Sequence, residues 1–254
     1  MMTLQDREFR GSRLRCLMLT SMPRPQVASI LTQLISPIGL VDANRHQWAP
    51  RGFAYPEEAK LSGDADFLTP GERELLTGWW LKVRRNANTP NWDLVSQGEI
   101  DGQRGMILVE AKAHTDEVKC AGKEKGNVEN DSQIAKAIGE ANSVLNDVTP
   151  GWSLTKDSHY QLCNRFAFTW KLAAMGIPTI LVYLGFLHCD EMSDCGTSFE
   201  SAQDWERTLA DHSKSVVPPK AWGGPLQTSG APMWAIARAL DLEWIVSGAR
   251  PVFE

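Results

Sequence analysis

The chain has 254 residues, of which 43% are hydrophobic and 22% charged, with a net charge of −5. This composition is that of an ordinary globular protein, and no apolar run approaches the roughly 20 residues that cross a bilayer, so we expect no membrane-spanning helix. The cysteines are odd in number and scattered, which favours reduced thiols and a cytoplasmic location; they are Cys16, Cys120, Cys163, Cys189 and Cys195.

Residues 1–60 are predicted to form an N-terminal elaboration outside the core. A short strand is expected over residues 13–20. The apolar spacing of residues 26–35 predicts a helix. Residues 36–57 are rich in proline, glycine and aromatic residues, which is typical of an irregular connection.

A clear helix is predicted to follow, starting at Thr69 and ending near Arg85. Thr69 is a suitable N-cap, Pro70 suits the first helical position, and Glu72 completes a capping box. Glu74, one turn into this helix, is a candidate accessory residue for a site on the following strands.

Two apolar-rich segments, 92–100 and 105–113, flank the dipeptide Asp101-Gly102. Asp-Gly at this position favours a type I′ turn, because both central residues of that turn need a positive φ. The sequence therefore predicts a hairpin with a two-residue turn.

The turn determines how three charged residues meet. A two-residue turn places Asp93 directly opposite Glu110, and Lys112 points to the same face of the hairpin. A four-residue turn would instead pair Asp93 with Lys112, and a three-residue turn would turn one strand over and separate the three groups.

Facing carboxylates destabilise a sheet, since opposed Cβ atoms are only about 5 Å apart. A divalent cation between Asp93 and Glu110 would remove this repulsion, and hard ions such as Mg²⁺ prefer oxygen ligands. Lys112 could then orient a water molecule or stabilise a developing oxyanion.

Asp93, the hairpin and Glu110-x-Lys112 together resemble the PD-(D/E)xK motif of the restriction-endonuclease-like nucleases. The leading pair is imperfect, since Pro90 stands three positions before Asp93. The resemblance implies that Asp93 and Glu110 bind Mg²⁺, with Mn²⁺ as a substitute, and that Lys112 acts on the attacking water. The backbone carbonyl of Ala111 is a candidate third ligand. The family core is an αβββαβ unit, so the implied class is α/β, a mixed sheet flanked by helices, here over residues 61–190.

The elements after the hairpin agree with that order. Residues 114–130 form a long polar connection, and residues 131–146 have helical spacing. A capping-box pattern at Ser158 predicts a second helix, which ends before Gly176. The apolar run 179–187 suits a strand covered on both faces.

The helix after Ser158 carries three polar residues on one face, since Gln161, Asn164 and Arg165 have i, i+3, i+4 spacing. They are candidate accessory residues that contact phosphate or organise the lysine. The Tyr-Gln-x-x-Asn-Arg run resembles one in uncharacterised members of the same nuclease superfamily.

Residues 191–254 are predicted to be a helical elaboration packed on the core, with helical spacing over 202–212 and 232–244. His188, Cys189 and Cys195 do not predict structural zinc, because no second ligand pair stands at a recognisable spacing.

The main functional hypothesis is a Mg²⁺-dependent nuclease that hydrolyses DNA, alone, as a homodimer or with a partner protein. The acidic balance weighs against strong non-specific DNA binding, which needs clustered basic residues. Candidate clusters are Arg10, Arg13 and Arg15; Lys82, Arg84 and Arg85; and Lys119, Lys123 and Lys125. The alternative is a catalytically silent member of the fold that binds nucleic acid or serves an assembly. A third hypothesis is a metal-dependent hydrolase of small phosphoesters.

Overall fold

The computed structural model describes residues 10–63, 67–124 and 126–242. Lys125 of one predicted basic cluster and the end of the predicted 232–244 helix lie outside these ranges. The described helices are α1 (Gly11–Thr20), α2 (Arg24–Ile35), α3 (Pro70–Trp80), α4 (Val128–Val148), α5 (Tyr160–Ala174) and α6 (Ala202–Ser213). The described strands are β1 (Gly39–Leu40), β2 (Trp48–Ala49), β3 (Ala59–Lys60), β4 (Asn91–Trp92), β5 (Leu94–Ile100), β6 (Gln103–Lys112), β7 (Thr179–Phe186), β8 (Pro225–Leu226) and β9 (Met233–Leu240).

Seven strands form one mixed sheet in the order β1-β5-β6-β7-β9-β8, with β2 also paired to β5. β5 and β6 are antiparallel, whereas β6, β7 and β9 run parallel. The parallel step from β6 to β7 needs a crossover connection, and α4 and α5 supply it. β3 and β4 form a separate two-stranded sheet.

The hairpin turn is the two-residue turn that the sequence predicts. Asp101 has φ 50° and Gly102 has φ 74°, and Ile100 pairs with Gln103. The register then continues without a bulge to the pair of Leu94 and Val109. The predicted register of β5 against β6 is therefore confirmed.

The sheet is covered by helices on both faces, as alternate residues of β6 show. Met106 and Leu108 belong to a core cluster with α3, α4, α5 and α6, whereas Ile107 and Val109 pack in a second cluster with α1 and α2. Every residue of β7 is buried, which confirms the prediction of a doubly covered strand. The fold is thus α/β, a mixed sheet flanked by helices.

Most predicted helices are confirmed, with shifted ends. Thr69 and Glu72 form the expected capping box at the start of α3. The helix ends at Trp80 rather than near Arg85. The capping box predicted at Ser158 is wrong. The N-cap of α5 is His159, which has φ 47° and makes no side-chain capping hydrogen bond.

Two predicted elements are of the wrong type. Residues 13–20, expected as a strand, lie in α1, where Cys16, Leu17, Leu19 and Thr20 are buried. The segment expected as a helix over 232–244 contains β9, which pairs with β7 along its whole length. Pairing with a neighbouring strand outweighs the weak local preference of such a segment.

The three predicted segments of the chain share this one sheet. The 1–60 segment supplies β1 and β2, the 61–190 segment supplies β5, β6 and β7, and the 191–254 segment supplies β8 and β9. α1 and α2 also contribute core residues beneath the sheet. Among the described residues, no helix is both long enough and apolar enough to span a membrane.

Candidate functional site

Glu110 is the centre of a buried ionic cluster on the face of the sheet that carries α5. Its side chain continues the series of Met106 and Leu108 along β6, and the residue has no exposed surface. Nζ of Lys112 donates to Oε1 over 2.5 Å, and Nε of Arg165 donates to Oε2 over 2.6 Å. Burial opposes the charge of Glu110, but Arg165 and Lys112 outweigh it and hold the pKa of Glu110 below its ordinary value.

Arg165 is fixed in place by further contacts from α5 to β4. Its Nη2 donates to the carbonyl of Asn91 over 2.7 Å, and its Nη1 donates to Oδ1 of Asn164 over 2.9 Å. The guanidinium also lies 4.3 Å from the ring centroid of Trp92, a cation–π contact. The guanidinium is therefore held rigidly against Glu110.

Asp93 lies in the bend between β4 and β5, one position before the pair of Leu94 and Val109. Its Oδ2 accepts a hydrogen bond of 2.8 Å from the backbone N–H of Ala111. Its Oδ1 accepts none from the described residues. Burial, followed by the charge of Glu110, raises the pKa of Asp93 to about 7.

A hard cation fits this carboxylate pair in its donor chemistry. Oδ1 of Asp93 is free to coordinate, and a cation would offset both the burial and the repulsion from Glu110 that raise the pKa of Asp93 to about 7. Glu110 is different, because both of its oxygens already accept hydrogen bonds from cationic side chains. A metal ion would have to share Glu110 with Lys112 or Arg165.

Lys112 contacts both Glu110 and α5, and it also lines a cleft. Its Nζ also donates to Oε1 of Gln161 over 3.0 Å. Burial opposes the charge of Lys112, but Glu110 and Asp93 raise the pKa of Lys112 above its ordinary value. The ammonium group therefore stays protonated, which suits it to stabilise negative charge rather than to accept a proton.

Lys112 and Gln161 also line a cleft of about 900 Å³. The cleft could admit a polymer strand or a smaller ligand. Its wall carries acids and bases in similar number; the lining residues are Lys112, His114, Thr115, Asp116, Glu117, Val118, Lys119, Gln161 and Cys195.

The structure brings most of the predicted site residues together. The converging residues are Asp93, Glu110, Ala111, Lys112, Gln161, Asn164 and Arg165. Glu74 does not join them, because both of its carboxylate oxygens accept hydrogen bonds from Arg84 on an exposed surface. The Ala111 carbonyl as a metal ligand stays a prediction, whereas the N–H of Ala111 holds Asp93.

Sequence reasoning missed two groups that hold Arg165, the carbonyl of Asn91 and the ring of Trp92. Both stand directly before Asp93, so proximity to the motif was the available signal. The partner on α5 lies 74 positions away from Asn91 along the chain, and no local pattern connects residues at that distance.

The predicted basic clusters are largely neutralised in the described structure. Arg10 pairs with Asp194, and Arg15 pairs with Glu191. Further pairs link Arg13 to Glu58, Arg84 to Glu74 and Lys123 to Asp131. Lys82, Arg85 and Lys119 are exposed and form no ion pair among the described residues, so the two clusters that contain them keep some basic surface.

No protein-family model, no curated protein and no solved structure matches this chain.

Proposed function

We propose that this protein is a Mg²⁺-dependent phosphodiesterase that cleaves nucleic acid, with DNA as the substrate that the motif favours. The observation that supports the proposal is the convergence of the half-buried Asp93, the buried Glu110 and the protonated Lys112 beside an accessible cleft. This combination suits nuclease chemistry, because a phosphodiester accumulates negative charge as water attacks it, and a bound cation and an ammonium group can stabilise that charge.

The residues of the chain have distinct roles in this proposal. Asp93 and Glu110 would hold the cation, with the carbonyl of Ala111 as a candidate third ligand. Bound Mg²⁺ supplies Lewis acidity and lowers the pKa of a coordinated water. Lys112 stabilises charge on the phosphate, and Gln161 fixes the position of the ammonium group through its 3.0 Å hydrogen bond.

One observation favours the second candidate, a catalytically silent subunit that binds nucleic acid or serves an assembly. The two cations Lys112 and Arg165 equal the two carboxylates Glu110 and Asp93 in number, so the cluster is balanced without a metal ion when Asp93 is ionised. Removing one member of such a buried ion group would leave another charge unpaired, so the group can be required for folding without taking part in catalysis. The paired basic clusters also fit a protein with weak affinity for DNA.

The deciding experiment is a cleavage assay on linear, circular, branched and single-stranded DNA and on RNA, with Mg²⁺ compared with EDTA. We expect Mg²⁺-dependent cleavage of at least one DNA substrate, lost in Lys112→Met and in Asp93→Asn. Lys136→Met is the matched control, because Lys136 is exposed on α4 away from the cluster.

Each other outcome rejects the proposal in a different direction. Absence of cleavage together with absence of Mg²⁺ binding by calorimetry would favour the silent subunit. Turnover of small phosphodiesters without cleavage of any polymer would favour a small-phosphoester hydrolase. Cleavage that Lys112→Met leaves intact would place the chemistry elsewhere in the protein.

A further inference from the structure

A second group of potential ligands lies close to the proposed active site, where three separate elements meet. Cys120 stands in the connection after β6, His159 is the N-cap of α5, and His212 lies in the last turn of α6. One sulfur or nitrogen atom from each of the three lies within 4.8 Å of the others. These residues take no part in the proposed cleavage reaction.

The distances agree with a tetrahedral metal centre. A zinc ion bound at about 2.3 Å to sulfur and about 2.0 Å to nitrogen holds these ligand atoms about 3.5 Å apart. Sγ of Cys120 and Nδ1 of His212 are 3.6 Å apart, and the rings of His159 and His212 have centroids 4.9 Å apart. The thiol and the two imidazoles are therefore close enough to share one ion.

His159 has a ring nitrogen that is available to bind an ion. Its Nδ1 is buried and has no hydrogen-bond partner among the described residues. The backbone is fixed at φ 47°, and its N–H donates to the carbonyl of Cys120 over 3.0 Å. Backbone pairing thus brings the histidine and the cysteine together, while a ring nitrogen of the histidine is left without a protein partner.

The chemistry of the three side chains determines the class of ion. Thiolate and imidazole are ligands for zinc and similar borderline ions, whereas Mg²⁺ and Ca²⁺ take oxygen. We infer that Cys120, His159 and His212 bind one zinc-type ion, with Cys120 exposed so that a water molecule can complete the tetrahedron. On binding, the thiol of Cys120 loses its proton to solvent and its sulfur forms the bond to the metal.

A thiol beside a histidine can also be a nucleophile with its base. The second histidine favours the metal, because a nucleophile and its base need no second imidazole at this distance. Bound zinc would tie the 113–124 connection to the start of α5 and the end of α6. This inference does not depend on the proposed nuclease activity.

The test is zinc binding by the purified chain, measured by equilibrium dialysis and metal analysis. We expect one zinc ion per chain, which excess Mg²⁺ does not displace and which is lost in Cys120→Ser and in His159→Ala. Cys195→Ser is the matched control, since Cys195 is also an exposed cysteine and is expected to retain the ion. Replacement by Co²⁺ should give a visible spectrum with a sulfur-to-metal charge-transfer band.

A second measurement needs no variant and therefore does not depend on whether a variant folds. Zinc should slow the alkylation of Cys120 by iodoacetamide and leave that of Cys195 unchanged in the same molecule, as read by peptide mass spectrometry. Binding that Cys120→Ser retains, or equal protection of both cysteines, would overturn the inference. Rapid alkylation of Cys120 with no zinc bound at all would overturn it in favour of a reactive thiol.

Discussion

The carboxylate cluster around Glu110 and the Cys120–His159–His212 group are neighbours that differ in how far protein side chains already satisfy their polar groups. Lys112 and Gln161 of the first and His212 of the second line the same small cavity. In the carboxylate cluster, cationic side chains of the protein already balance the buried charge. In the cysteine–histidine group no ion pair holds the three side chains, and His159 has a buried nitrogen without a partner among the described residues. The carboxylate cluster is therefore complete without a metal ion, whereas the cysteine–histidine group would gain stabilisation from one.

The largest difference should appear on removal of a single group from each cluster. Glu110→Gln leaves Lys112 and Arg165 buried near a neutral amide, so we expect a loss of about 3–5 kcal/mol in unfolding free energy. Cys120→Ser changes an exposed side chain and should stay within about 0.5 kcal/mol in the absence of metal. Urea unfolding at pH 7 in EDTA measures both. Equal losses would show that the two clusters do not differ in this way.

The next largest effect should be a different response of the two clusters to Mg²⁺ and to Zn²⁺. An ion at 100 times its dissociation constant stabilises the folded state by about 2.7 kcal/mol. Mg²⁺ should raise the melting temperature of Cys120→Ser but not of Asp93→Asn, and Zn²⁺ should do the reverse. Thermal unfolding of both variants with each ion tests this, and a variant that loses both responses would mean that the clusters act as one site.

A smaller effect is expected from pH. The pKa of Asp93 is raised to about 7, so the carboxylate is mostly protonated at pH 6 and mostly ionised at pH 8. Since Mg²⁺ binds only the ionised form, its affinity should rise about tenfold over this range. Calorimetric titrations with Mg²⁺ at pH 6 and pH 8 measure this change in affinity. Asp93→Asn should abolish Mg²⁺ binding at both pH values.

The same shift makes a prediction about stability without metal. A carboxyl group whose pKa is higher in the folded than in the unfolded chain binds its proton more tightly when folded. The folded state therefore loses stability as pH rises from the unfolded value of about 4 towards 7. Thermal unfolding in EDTA should show this decline in the wild-type chain and a weaker decline in Asp93→Asn. A parallel decline in both would mean that other groups cause it.

The sequence predicts the two clusters unequally because their residues are distributed differently along the chain. Asp93, Glu110 and Lys112 are linked by one hairpin, so turn chemistry and strand alternation place them on one face. Gln161 and Arg165 follow from the geometry of a single helix. By contrast, 92 positions separate Cys120 from His212, and neither residue belongs to a recognisable ligand spacing. Only the packing of α5 and α6 brings them together.

The same limit explains the failures elsewhere in the chain. Capping and spacing identify α3 but do not reveal that Glu74 points to Arg84 at the surface. β9 carries apolar residues compatible with either a helix or a strand, and its partner β7 decides between them. Local patterns identified α3 and the hairpin turn but failed for residues 13–20 and for the capping box at Ser158. Contacts that depend on a distant partner were not predicted.

The turn at Asp101 and Gly102 has a consequence for how the chain tolerates change. These two residues are exposed, and about 27 Å of strand separates them from Asp93. Replacing a neighbouring exposed side chain should leave the hairpin pairing intact. Adding or deleting one residue would reverse the two faces of one strand relative to the other and direct Glu110 away from Arg165. The length of this turn is thus under constraint from a distant pocket, in addition to the constraint that the positive φ of Asp101 and Gly102 places on their identity.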